Sequence, residues 1–68
     1  MASFEEYTAR YETPEFSHMS AKERYLQGIC DWLFDHSSVV NAENVYEQSD
    51  GRYSLEQIEA WFEEYYNG

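Results

Sequence analysis

Apolar side chains recur along this chain at helical spacing, and no stretch shows the apolar–polar alternation of a strand. Leu55, Ile58, Trp61, Phe62 and Tyr65 fall on one stripe, which predicts an amphipathic helix over residues 54–66. On its other side Glu56, Glu59 and Glu63 stand three and four residues apart, with Glu64 beside them, so the same helix carries a row of like charge. Ala21, Tyr25, Leu26, Ile29, Cys30, Trp32 and Leu33 populate a second, broader face and predict a helix over residues 20–36. Gly28 interrupts that run at a cost of up to ~1 kcal/mol relative to alanine, which suits a place where another helix or a ring approaches closely. Phe4, Tyr7 and Tyr11 make a shorter stripe over residues 4–11.

The starts of these runs carry capping residues. Ser3 with Glu6, Ser20 with Glu23, and Ser54 with Gln57 have capping-box spacing, in which the hydroxyl and the longer side chain each satisfy a backbone N–H. Thr13-Pro14 predicts a single helical turn reaching Phe16 or His18. Asn41 is placed to cap a short third helix over residues 41–48, with Val39-Val40 before it as a hydrophobic staple. Ser37-Ser38 and Ser49-Asp50-Gly51 read as breaks, and Asn67-Gly68 as a stop. The expectation is one all-α domain spanning residues 1–68, with three or four short helices. Residues 20–36 and 54–66 are expected to be its main packing pair.

At 68 residues a single core barely outweighs chain entropy. Cys30 is the only cysteine, which excludes an intramolecular disulfide. The substitute is aromatic burial, from four Phe, two Trp and seven Tyr, each able to bury roughly 150–250 Å². That aromatic content separates the chain from disordered acidic tails. Fourteen Asp and Glu against four Lys and Arg give a net charge of −10. Such a surface repels nucleic acid and anionic membranes and attracts basic partners. The first residues show no basic-then-apolar signal pattern, and no run approaches the ~18 apolar residues of a membrane span, so a cytoplasmic protein is expected.

Candidate chemistry is sparse. Residues 46–57 resemble the twelve-residue calcium loop of EF-hand proteins, with Gly51 at the turn glycine, Asp50 at the fifth position and Ser54 at the ninth. Tyr46 stands where that loop opens with Asp, Gln48 occupies the third position, and Gln57 replaces the closing bidentate Glu. The stretch is therefore read as helix, turn and capped helix. Cys30, His18 and His36 lack the closely spaced pairs of a zinc site, so no metal or other cofactor is expected and Cys30 is assigned to the core. Asp31 with Asp35, and Glu59 with Glu63, have a carboxylate spacing common on solvated helix faces. No nucleophile–base arrangement accompanies them, which points away from an enzyme.

The acids form rows, Glu23, Asp31 and Asp35 on one long helix and Glu56, Glu59 and Glu63 on the other, interleaved with tyrosines beyond the needs of a small core (Tyr46, Tyr53, Tyr66 and Tyr7). A compact chain of this length is roughly 28 Å across. Duplex DNA of that length carries about 16 phosphate charges. In size, charge and aromatic content the chain resembles DNA-mimic proteins, the small acidic inhibitors with which phages block restriction enzymes and CRISPR effectors. The resemblance implies a non-enzymatic binder acting in the host cytoplasm, which occupies the basic surface of a nucleic-acid-binding protein or complex. Its expected contacts are Glu56, Glu59, Glu63 and Glu64, then Asp31, Asp35, Glu43 and Glu47, with Tyr53 and Tyr66 stacking or hydrogen bonding against arginine. The alternative is a helical interaction or dimerisation module that binds through exposed apolar residues, with Trp61 or Trp32 as anchor.

Overall fold

A computed structural model of the chain describes residues 4–65. Within them lie four α-helices, α1 Phe4–Ala9, α2 Ala21–Asp35, α3 Ala42–Ser49 and α4 Leu55–Tyr65, with a 3₁₀ turn at Pro14–Phe16 between the first two. The described residues contain no strand, so the all-α expectation holds. The molecule measures 29 × 28 × 20 Å. None of the described helices is long and apolar enough to cross a membrane.

Local chemistry places most of the boundaries. Ser20 Oγ accepts from the Glu23 N–H at 3.2 Å while the Glu23 carboxylate accepts from the Ser20 N–H at 2.9 Å, closing a reciprocal cap on α2. Ser54 and Gln57 do the same for α4, at 3.1 and 3.0 Å. Asn41 Oδ1 takes the Asn44 N–H at 2.7 Å at the start of α3, and the Asn44 side chain reaches back to the Val39 carbonyl. Of the Val39-Val40 pair expected as a staple, Val40 is half-buried against the core while Val39 is exposed, and Val45 inside α3 is fully buried. The 3₁₀ turn begins where expected, although the Thr13 side chain makes no capping bond. Helix α1 is shorter than its stripe: after Ala9 the chain tightens into i→i−3 bonds from the Arg10, Tyr11 and Glu12 N–H groups. The box expected from Ser3 lies outside the described residues.

Helix α2 ends in a Schellman turn. The Ser38 N–H donates to the Leu33 carbonyl at 2.9 Å and the Ser37 N–H to Phe34 at 3.1 Å, with Ser37 in the left-handed region at φ 58°. Helix α3 ends with Asp50 left-handed as well, followed by Gly51 at φ 79°.

One core joins the helices. Leu26, Ile29, Cys30 and Leu33 from α2 meet Val45 from α3 and Ile58, Trp61 and Phe62 from α4. Cys30 is a buried core residue, as expected. The main packing pair is nonetheless α1 with α2, and not α2 with α4. The reason is size. Helix α4 meets α2 through Ile58, Trp61 and Phe62, which hold the two backbones apart. Helix α1 meets α2 at Gly28, whose absent Cβ would lie 2.8 Å from the Thr8 backbone.

Candidate functional site

Two surfaces combine exposure with chemistry. The first is the outer side of α3 and α4. Glu56, Glu59, Glu63 and Glu64 are all exposed on α4, and Glu43 and Glu47 are exposed on α3. Neither helix contains a lysine or an arginine. Tyr46, 39% exposed, and Tyr65, 53% exposed, accompany these acids. The Tyr65 ring sits tilted against Trp61, and its hydroxyl is near the Glu23 carboxylate at the start of α2. The nearby Glu23 carboxylate is the main reason the Tyr65 phenol is pushed above its ordinary value. The Glu23 carboxyl is pulled below the usual range, first by the Ser20 backbone N–H and further by the Ser20 hydroxyl and Tyr65. Tyr65 is thus left largely exposed at the C-terminal end of α4 and does not complete the buried stripe.

Asp31 and Asp35 do not join this face. Tyr11 donates its hydroxyl to Asp31, which also accepts from the Gln27 amide at 3.1 Å. The Tyr7 hydroxyl donates to Asp35 at 2.8 Å, and Arg10 lies over the Tyr7 ring. The bond to Asp35, then burial, then the Asp35 charge raise the Tyr7 phenol above its ordinary value. These two carboxylates fasten the N-terminal segment to α2, each accepting a hydrogen bond from a tyrosine of that segment. Tyr7, counted among the surplus tyrosines, is buried. Tyr53 is half-buried against Tyr25 at 5.8 Å between ring centres, so it too is largely a packing residue. Tyr66 lies outside the described residues. The stretch with calcium-loop spacing is taken up by the end of α3, a tight turn and the Ser54–Gln57 cap. Among the described residues no cluster of three or more His, Cys, Asp or Glu side chains is arranged to hold a metal.

Of the two tryptophans considered as anchors, Trp61 is buried in the core and Trp32 is half-buried with its ring stacked on His36 at 4.3 Å. The exposed apolar residues are instead Phe34, 76% exposed at the end of α2, and Val39, 67% exposed in the α2–α3 connection. Phe34 is adjacent to the buried Leu33 in the chain, so its side chain projects from another side of the helix.

The second surface is a cleft of about 810 Å³ bounded by α1, the first turns of α2, the end of α3 and the α3–α4 turn. Phe4 and Tyr25 line it as an edge-to-face pair at 5.5 Å. Arg24 and Arg52 line it too, and the Arg52 guanidinium lies over the Tyr25 ring at 4.6 Å. Tyr25 donates to the Ser49 carbonyl at 3.3 Å, and burial raises its phenol despite the nearby Arg52 charge. Residues 24 and 52 lie in different elements, and no spacing rule connects them.

Comparison with protein-family models, with curated proteins and with solved structures finds no match to this chain. Fold and surface together define a small all-α domain whose helices α3 and α4 carry exposed glutamates and no lysine or arginine.

Proposed function

We propose that the protein is a non-enzymatic binding protein whose α3–α4 face occupies a basic, nucleic-acid-binding surface of a partner, keeping DNA or RNA out in the manner of a DNA mimic. One observation carries this reading: six exposed glutamates, at 43, 47, 56, 59, 63 and 64, share two adjacent helices that hold no cation. Like charges three and four residues apart repel and cost helix stability, so a row kept without compensating lysines suits a partner that supplies the positive charge. The 29 Å extent of the molecule matches a length of duplex carrying about 17 phosphates, which sets the size of groove such a face would fill. Asp31 and Asp35 are left out of this contact because tyrosines hold them.

The test is a pull-down from bacterial lysate with the natural chain and with a variant carrying Glu56→Gln, Glu59→Gln and Glu63→Gln, each washed at low and at high salt. A nucleic-acid-binding protein retained at low salt, released at high salt, lost with the variant and displaced by duplex DNA supports the reading. A partner that survives both high salt and the glutamine changes rejects it.

A second reading rests on Phe34 and Val39, whose exposure fits an apolar contact with a partner or with a second copy of the chain. It predicts binding or dimerisation that is insensitive to salt and abolished by Phe34→Ser.

A further inference from the structure

The cleft between α1, α2 and the α3–α4 turn holds two of the chain's four basic residues, in a protein of net charge −10. Among the described residues neither Arg24 nor Arg52 forms an ion pair with a carboxylate. The Arg24 Nε is buried and has no hydrogen-bond partner, which costs free energy, and the Arg24 side chain lines the cleft. Arg52 is exposed, held over the Tyr25 ring with its guanidinium beside the opening. Glu5, Glu12 and Asp50 also line the cleft and are exposed. Charges of both signs therefore face one space, beside the two aromatic rings of Phe4 and Tyr25.

We propose that this cleft binds a small zwitterionic molecule of the aromatic amino-acid class. The guanidinium groups of Arg24 and Arg52 take its carboxylate, a planar two-oxygen acceptor that matches the guanidinium fork. The rim carboxylates take its ammonium group. The aromatic side chain lies against Phe4 and Tyr25, where edge and face contacts are available. The volume falls within the range of small-molecule sites. A dianion such as phosphate is disfavoured by the three rim carboxylates, and a simple cation is disfavoured by the two guanidinium groups. This site uses α1, α2 and the α3–α4 turn and none of the α4 glutamates, so it stands independently of the acidic face.

The experiment is an amide-resolved NMR titration of the intact protein with four probes: phenylalanine, phenylacetate, phenethylamine and inorganic phosphate. The expected result is saturable shifts at Tyr25 and at the amides of residues 48–52 with phenylalanine, weaker shifts with the two half-charged analogues, and none with phosphate. Arg52→Gln, an exposed change that leaves the core intact, is expected to weaken phenylalanine about tenfold, the loss of a charge-assisted contact. Arg52→Lys keeps the charge and is expected to recover only part of the binding. The proposal is overturned if phenylalanine moves none of these amides, if phenethylamine binds as tightly as phenylalanine, or if Arg52→Gln binds it unchanged. The Glu56, Glu59 and Glu63 glutamine variant is expected to bind phenylalanine normally, which separates this site from the α3–α4 surface.

Discussion

Gly28 and Thr8 meet so closely that a Cβ on the glycine would lie 2.7 Å from the Thr8 Oγ1 and 2.8 Å from the Thr8 Cα and N. Backbone atoms cannot rotate away as a side chain can. Gly28→Ala gains up to ~1 kcal/mol of intrinsic helix propensity. It also forces α1 off α2, and overpacking of this kind costs about 1–3 kcal/mol. The second effect is expected to win, giving a net loss of stability in urea denaturation. An unchanged or raised midpoint would show that α1 can shift at little cost.

Alkaline pH is expected to loosen the fold in a defined window. The phenols of Tyr7, Tyr25 and Tyr65 are all raised above the ordinary value of 10.0, the first mainly by its bond to Asp35, the second by burial and the third mainly by the nearby Glu23 carboxylate. A group whose folded value is raised stabilises fully below its unfolded value, and that contribution disappears as pH climbs through the folded one. Stability is therefore expected to be flat in these three groups up to about pH 9 and to fall above about pH 10. Tyrosinate absorbance, followed with denaturation midpoints, reads both events. Tyr7→Phe is expected to remove amplitude from the late part of the titration, and loss of amplitude from the part near the ordinary phenol value instead would rule out an effect of the Asp35 bond.

Ser37 occupies the left-handed position of the Schellman turn that ends α2. A residue with a Cβ costs roughly 1–2 kcal/mol there, while glycine's larger unfolded-state entropy returns roughly 0.5–1 kcal/mol of that. Ser37→Gly is expected to stabilise by about 0.5 kcal/mol or slightly more, seen as a higher thermal midpoint. A lower midpoint would mean that the serine contributes something beyond the turn geometry.

The acidic row should be a burden on the isolated protein. Glu59 and Glu63 are exposed one turn apart on α4 with no cation in the helix. Replacing both with glutamine is expected to raise stability at low ionic strength by roughly 0.2–0.5 kcal/mol per relieved pair. The gain should shrink with added salt as the Debye length contracts. If the variant is less stable at every salt concentration, these glutamates make favourable contacts within the fold, and the case for a waiting surface weakens.

Much of the local structure was legible before any tertiary information. The Ser20 and Ser54 caps and the Asn41 cap use partners three residues away, so their spacing in the chain determined where α2, α3 and α4 begin. The apolar stripes likewise identified the residues of the core, including Cys30, Ile58 and Trp61. The outward glutamates of α4 followed from the same periodicity. What the chain could not reveal by itself was which side chains would be used up inside the fold. Asp31 and Asp35 read as free acids, yet Tyr11 and Tyr7 reach them from 20 and 28 residues away. Tyr65 read as core, but the last turn of α4 runs past the interior and its ring is left half in solvent. The closeness of α1 to α2 and the placing of Arg24 and Arg52 along one cleft are of the same long-range kind. Helical period and capping are properties of neighbouring residues. The partner of a side chain depends on how the helices cross, and that is decided only when the whole chain packs.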